Sequence, residues 1–424
     1  MPRSEDFERA LHRHVLDVWF PRSLDREYGG FLCDFDRAWK PCGPHAKQLE
    51  FQARQTLLAA DASRAYPTDA RLREAAAHGF RFLREVIWDR ECGGWYHRTE
   101  RDGKPLESHT KHTHGFAYAI SACVSVYEAT GEPDALRLAQ DAFRWVDQHA
   151  HDHDRGGYFG FLTREGRPVH TPADAPWTTV MDTLGTGVGV KDLNTHSDFL
   201  EGITLLCRAW PDPLVATRLT EMIDIIADRL VNPATGSSYF VVTPDWKPLP
   251  HLMWVGYQFH SAYRLMLAAG VAGQAERART SAIRFVDHAL SCALDEENGG
   301  FYYAVPATYP IALYGQDVRV KKKSWWVQTE ALRGLTTVSR LVPGEPRYRD
   351  ALEATWRYFE RYFLDHRFGG VYPFGHDTLR RRQRELGARL APAEFTRKGD
   401  SWKDASHEGR ALLYCAEALR ADPA

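Results

Sequence analysis

Six stretches of the sequence combine residue types that move protons or hold polar ligands. They are Gln52 and Arg54; His112 and His114; Asn194, His196 and Asp198; Trp254, Tyr257 and His260; Trp325, Trp326, Gln328 and Glu330; and Trp402, His407 and Arg410. Histidine titrates near neutral pH, so it can take a proton from carbon and return it. Arginine keeps its charge and can hold an oxyanion as it develops. Indole and phenol faces beside polar groups suit a sugar: rings stack on its apolar face while the polar groups take its hydroxyls. A lone His or a Trp pair in a helix is ordinarily packing. What sets these stretches apart is recurrence at one level of a repeat.

The repeat is marked by a turn followed by an aromatic. It reads Gly29-Gly30-Phe31, Gly93-Gly94-Trp95, Gly156-Gly157-Tyr158, a degraded Gly236-Ser237-Ser238-Tyr239, Gly299-Gly300-Phe301 and Gly369-Gly370-Val371-Tyr372. The copies recur at intervals of about 60 to 70 residues, the sign of a repeat architecture. Most have an acid or Asn nearby upstream, such as Glu27, Glu91, Asp154 and Asn298. Two helix-period segments accompany each copy. Five of the helices after the cassettes open on lysine: Lys47, Lys111, Lys191, Lys323 and Lys403. The first helix should cover about 6–19 and end at Pro21. There is no βαβ alternation, so the short strands belong to local hairpins. Six helical hairpins that must hide two edges can close into a ring. The expectation is an all-α (α/α)6 barrel with short β-hairpins at one end, forming a single domain over 1–424. The listed side chains would then converge on the axis in a ligand-binding concavity.

The composition narrows the function classes. A net charge of −2 leaves no basic footprint for nucleic acid, and the Arg380-Arg381-Arg382 run reads as a solvated face. No apolar run approaches the span of a bilayer. Seven scattered Cys without a CxxC pair suit a reducing cytoplasm. His109, His112 and His114 are close together, as are His149, His151 and His153, but neither group has HExxH spacing or a Cys partner set, so no metal site is expected. The 170–191 stretch, rich in Pro, Thr and Gly, is long enough to be a functional loop.

Taken together, Gln52-Ala53-Arg54-Gln55, Asn194-Thr195-His196 with Glu201, Trp325-Trp326-Val327-Gln328-Thr329-Glu330 and Trp402-Lys403 with His407 and Arg410 resemble the N-acylglucosamine 2-epimerase superfamily, along essentially the whole chain. The resemblance implies an (α/α)6 barrel without metal or redox cofactor. It implies a cis-enediolate mechanism on an open-chain aldose of the mannose or glucose type. Protonation from the other face gives the C2 epimer, and protonation at C1 gives the ketose. It implies His407 and Arg54 as catalytic. Binding roles fall to His114, Asn194, His196, Trp254, Trp325, Trp326, Glu330 and Trp402. It leaves a small-molecule sugar as the partner, with no nucleic acid or membrane, for a monomer or homodimer.

One stretch departs from the family pattern. The family commonly carries Gly-His-Asp-x-Glu after the fourth cassette, where this chain has Gly256-Tyr257-Gln258-Phe259-His260. Tyr257 stands at the second acid/base and His260 at its carboxylate partner, so both are candidates for the catalytic set. His114 stands where many members carry Tyr. Loss of one His weakens two-base epimerisation more than one-base isomerisation. The competing expectations are an (α/α)6 glycoside hydrolase or lyase using acids such as Asp192, Asp198, Glu330 or Asp404, and a non-catalytic sugar-binding protein.

Overall fold

The computed structural model describes residues 1–106, 110–174, 187–308, 310–377 and 396–421. His109, the middle of the 170–191 loop and the Arg380–Arg382 run lie outside the described residues.

Six helices are buried nearly all round. They are α3 (Leu49–Ala65), α5 (Thr113–Thr130), α7 (Leu193–Ala209), α9 (Gly256–Ala272), α11 (Trp325–Leu341) and α13 (Ser406–Ala421). Each packs on the next, and α13 packs back on α3, so the inner ring is closed. The outer layer is α1 (Ser4–Leu11) with α2 (Asp17–Ser23), then α4 (Ala70–Glu85), α6 (Pro133–Ala150), α8 (Pro213–Asp224), α10 (Ala275–Ala293) and α12 (Pro346–Tyr362). These are amphipathic. On α6, Leu138, Ala142, Phe143 and Val146 face inward, while Asp141 and Arg144 pair outside. The chain is an (α/α)6 barrel. Among the described residues no helix is long and apolar enough to cross a membrane.

The expected stop at Pro21 is corrected by the structure. Helix continues from α1 through a π turn (His12–Leu16) and α2 to Ser23. Pro21 lacks the N–H that would bond Asp17 O. The Arg22 guanidinium donates to that oxygen at 3.2 Å and to Val18 O at 3.0 Å, filling the gap.

The strands also differ from local hairpins. β1 (Lys47–Gln48) pairs with β2 (Arg98–Thr99), β3 (Lys111–His112) with β4 (Phe161–Leu162), β5 (Lys191–Asp192) with β6 (Val241–Val242), and β7 (Leu252–Trp254) with β8 (Ala304–Pro306). Each pair joins the entry of one inner helix to the hairpin of the next repeat. Single bridges, Ser324 to Phe374 and Phe35 to Gly399, complete the circuit. A belt therefore closes over the N-terminal end of the inner ring. Among the described residues the one local strand pair is β9 (Ala312–Leu313) with β10 (Gln316–Asp317), and the cassettes themselves close on single bridges such as Leu24 to Phe31.

The cassette acid is not the one expected. Asp25, Asp89, Asp152, Asp295 and Asp365, each four residues before the first glycine of its copy, accept the turn N–H groups. The same carboxylates take a buried lysine: Lys47 at 2.8 Å, Lys111 at 3.1 Å, Lys191 at 2.7 Å, Lys323 at 2.7 Å and Lys398 at 2.8 Å. The belt lysine of the sixth copy is thus Lys398, not Lys403, which reaches Glu408 inside α13. In the fourth copy Asn232 and Met253 replace the ion pair, and Met253 keeps the lysine's register opposite Val305. These lysines are scaffold.

Candidate active site

All six inner helices start at the belt. Their N-terminal dipole ends, which favour anions, therefore surround the same end of the axis. A cavity of about 170 Å³ opens there. Arg54, His114, Trp254, Tyr257, Trp325, Trp326, Trp402 and His407 line it, eight of the twelve residues singled out from sequence. Tyr303, Lys322, Ser324 and Phe374 line it too and were missed. Tyr303 and Phe374 follow the fifth and sixth cassettes. Their signal was available, because hairpins that cap a barrel must send side chains toward its axis.

Seven residues after each of the first five belt positions lies one ring of side chains: Arg54, Tyr118, Asp198, His260 and Glu330. Arg54, Tyr118 and Asp198 touch in turn around the axis, and His260 meets Glu330. The Arg54 guanidinium carbon sits 4.1 Å over the Tyr118 ring. Tyr118 OH donates to Asp198 at 2.9 Å. Arg264 binds Asp198 and, at 2.9 Å, Glu201. His260 Nε2 is 3.5 Å from Glu330. This register corrects His196, which is two residues out of phase and points away from the axis. Its Nδ1 faces Asp192 O at 2.7 Å, and its Nε2 accepts the Tyr158 N–H at 3.0 Å. It braces the third cassette as Gln52, Gln258 and Gln328 brace the first, fourth and fifth. Burial pulls it down to about 4, so it stays neutral. Asn194 is fully buried but is not among the cavity-lining residues.

His407 and Glu330 form a close pair at the cavity wall. His407 Nδ1 lies 2.9 Å from Glu330 Oε1. Burial alone would raise the Glu330 carboxyl, but Arg333 and His407 outweigh it and hold it below the usual range. An ionised carboxylate only accepts, so Nδ1 carries the proton and Nε2 keeps a lone pair. His260 lies beneath Tyr257, with ring centroids 5.6 Å apart, and 5.9 Å from the His407 ring. It does not line the cavity. Burial, reinforced by Arg264 and His407, pushes it well below its ordinary value. Tyr257 moves the other way: burial and then Asp198 hold its phenol protonated. Across the cavity, His114 Nε2 is 2.7 Å from Asp198 and its Nδ1 is 3.3 Å from Glu50. Burial would lower it, but the two carboxylates prevail and raise it.

A larger cavity, about 410 Å³, opens at the other end of the barrel. Its charged walls satisfy one another, as where Arg410 meets Asp61 at 3.1 Å and also binds Glu201. Among the described residues no histidine lines it, whereas His114 and His407 line the cavity at the belt end.

The model of the N-acylglucosamine 2-epimerase (GlcNAc 2-epimerase) family matches residues 29–175 and 222–388. The chain belongs to this family. A cellobiose 2-epimerase of Bacteroides fragilis is 24% identical over 367 residues, 85% of this chain and 88% of the relative. The solved cellobiose 2-epimerase of Bacillus thermoamylovorans B4167 superposes with a TM-score of 0.83 at 21% identity, covering 98% of each chain. A solved D-mannose isomerase superposes at 0.78 and 19% identity, covering 100% of each.

Proposed function

We propose that the protein is a cofactor-independent aldose–ketose isomerase acting on a free sugar of the mannose or glucose type. The supporting observation is the His407–Glu330 pair, which leaves one imidazole lone pair at a cavity walled by indoles. His407 Nε2 takes the C2 proton of the open-chain aldose. Arg54 holds the oxygens of the enediolate, which also sits in the field of the converging helix N-termini. His407 returns the proton to C1. O1 gains a proton, O2 loses one as C2=O forms, and the ketose leaves. Trp254, Trp325, Trp326 and Trp402 stack on the sugar.

Tyr257 decides between the two products. Epimerisation needs an acid on the opposite face of the enediolate, and a buried, protonated phenol is a poor exchanger of carbon-bound protons near pH 7. The second reading, 2-epimerisation, draws on the relatives' names and on His260 one turn beyond Tyr257. A glycoside hydrolase is disfavoured because no carboxylate among the described residues lines the cavity, and that chemistry needs two across the bond. The free thiols fit action in a reducing cytoplasm. The test is incubation with mannose, glucose and fructose in D2O, followed by NMR. Deuterium at C1 of the ketose and at C2 of the aldose is expected. No exchange and no new sugar from any of them would sink the proposal.

A further inference from the structure

The larger cavity, at the far end of the barrel, has one guanidinium outside its ion-pair network. All six inner helices line it. Arg64 and Arg208 share Glu128, at 2.5 and 2.6 Å. Arg410 is held by Asp61 and Glu201, and Glu201 also takes Arg264 at 2.9 Å. Arg333, on α11, lines the same cavity with a side chain only 2% exposed. Its guanidinium donates no hydrogen bond among the described residues, and its Nε and Nη1 are buried without an acceptor. Nη1 stands 3.5 Å from Glu330 Oε2, and the guanidinium carbon lies 4.7 Å over the Tyr263 ring.

Arg333 therefore has two sides. One meets Glu330, a turn earlier on α11, whose other oxygen faces His407 Nδ1 at 2.9 Å. The other meets the cavity. A buried charged donor without an acceptor is costly, and an acceptor entering the cavity removes that cost. The fork of N–H groups on a guanidinium matches the paired oxygens of a carboxylate or phosphate. The acids of the cavity do not bar such a ligand. Asp61 and Glu201 already have arginine partners, and Glu417 is exposed.

We propose that the far cavity binds a small oxyanion, a carboxylate or phosphate, on Arg333, and that the bound charge damps the base at the belt end. The binding is independent of the isomerase reading, whereas the damping rests on it. Burial would raise the Glu330 carboxyl, and Arg333 leads the charges that hold it low, ahead of His407 and Arg264. An anion on Arg333 offsets that positive field. Glu330 then holds His407 more firmly as the imidazolium, which cannot take the C2 proton. His407 also faces His260 on α9, which burial keeps neutral, and shares the sugar cavity with Arg54, His114, Tyr257 and Lys322. Those groups are the same with and without the anion, so the change reaches His407 through Glu330.

The test uses the full chain in chloride buffer at fixed ionic strength, with inorganic phosphate and succinate as the probes. Thermal melting reads binding whether or not any sugar turns over, so it separates this site from the isomerase reading. At least one probe should raise the melting temperature of the wild type, and the two arms show which oxyanion fits better. Arg333→Met should bind about 10- to 100-fold more weakly, the loss of one charge-assisted contact. Leu267→Trp, at a half-buried position of the cavity wall, fills the space and leaves the charges in place, so it should abolish the shift even if Arg333→Met unfolds. With the sugar that D2O exchange identifies, the probe should lower kcat near pH 7 by about 5-fold with KM unchanged, the low end of couplings between two ligands, here the anion and the His407 proton. No stabilisation of the wild type by either probe, or stabilisation that survives in either folded variant, overturns the site. Binding that leaves kcat unchanged, or that raises KM alone as an anion in the sugar cavity would, overturns the coupling.

Discussion

At the scale of single residues, Glu330 sets which nitrogen of His407 is basic. Glu330→Gln leaves the shape but offers an amide that can donate as well as accept, so the wrong tautomer becomes available. The expected result is a kcat lower by about 10² to 10⁴ with little change in KM, as when other base-orienting carboxylates are neutralised. Steady-state kinetics on the active sugar checks this, and unchanged kcat would remove Glu330 from the mechanism. Tyr257→His should restore an acid/base group on the second face and raise the ratio of C2 epimer to ketose. A folded variant with an unaltered product ratio would refute the one-base account. Residue type alone could point to Arg54, His407 and the indoles, which the fold brings to one cavity, but it could not place His196, which the fold turns away from it. Two residues turn a helix by about 200°, and only the packed register shows that Asp198 faces the axis while His196 faces a cassette.

At the scale of elements, the belt ion pair is the joint between turn, strand and inner helix. Asp152 draws its charge partner from Lys191, which is wholly buried. Lys191→Met strands a buried carboxylate and should destabilise the chain by about 3–5 kcal/mol. Adding Asp152→Asn recreates the neutral Asn232 and Met253 combination already present in the fourth copy. The double variant should therefore recover much of that loss, which urea unfolding of both singles and the double would measure. A double variant no more stable than Lys191→Met would show that the fourth copy survives for other reasons. The helices and their order were legible because apolar spacing and the turn motif repeat. The Asp–Lys joint was not, because its acid lies four residues upstream of the glycines and closer acids such as Glu27 and Glu91 drew attention instead. Lys398 was missed for a related reason: α13 begins eight residues after it, where the other belt lysines precede their helices by two.

At the scale of the whole molecule, the ring closes only if every joint holds, so the five charged joints act together. Burial would raise Asp25, Asp89 and Asp365, but hydrogen bonds from Arg101, Arg164 and Arg37, with the belt lysines, outweigh it and hold all three low. Burial likewise works against the low values of Asp152 and Asp295, and Lys191 and Lys323 overcome it. A carboxylate depressed in the folded state binds fewer protons there than in the unfolded chain. Its contribution is fully present above the unfolded value, near pH 4, and is lost as pH falls below it. Stability should therefore decline gently below about pH 6.5, where protonation of histidines held neutral by burial, such as His196 and His260, favours the unfolded chain, and then drop steeply below about pH 4, with a slope set by several carboxylates taking up protons together. Because the joints are buried, added salt should shift that drop little. Urea unfolding at fixed pH values, at low and high salt, tests this. Unfolding already complete above pH 5 would instead place the weak point in the histidines, and no further drop between pH 5 and pH 3 would show that the belt charges do not hold the barrel closed.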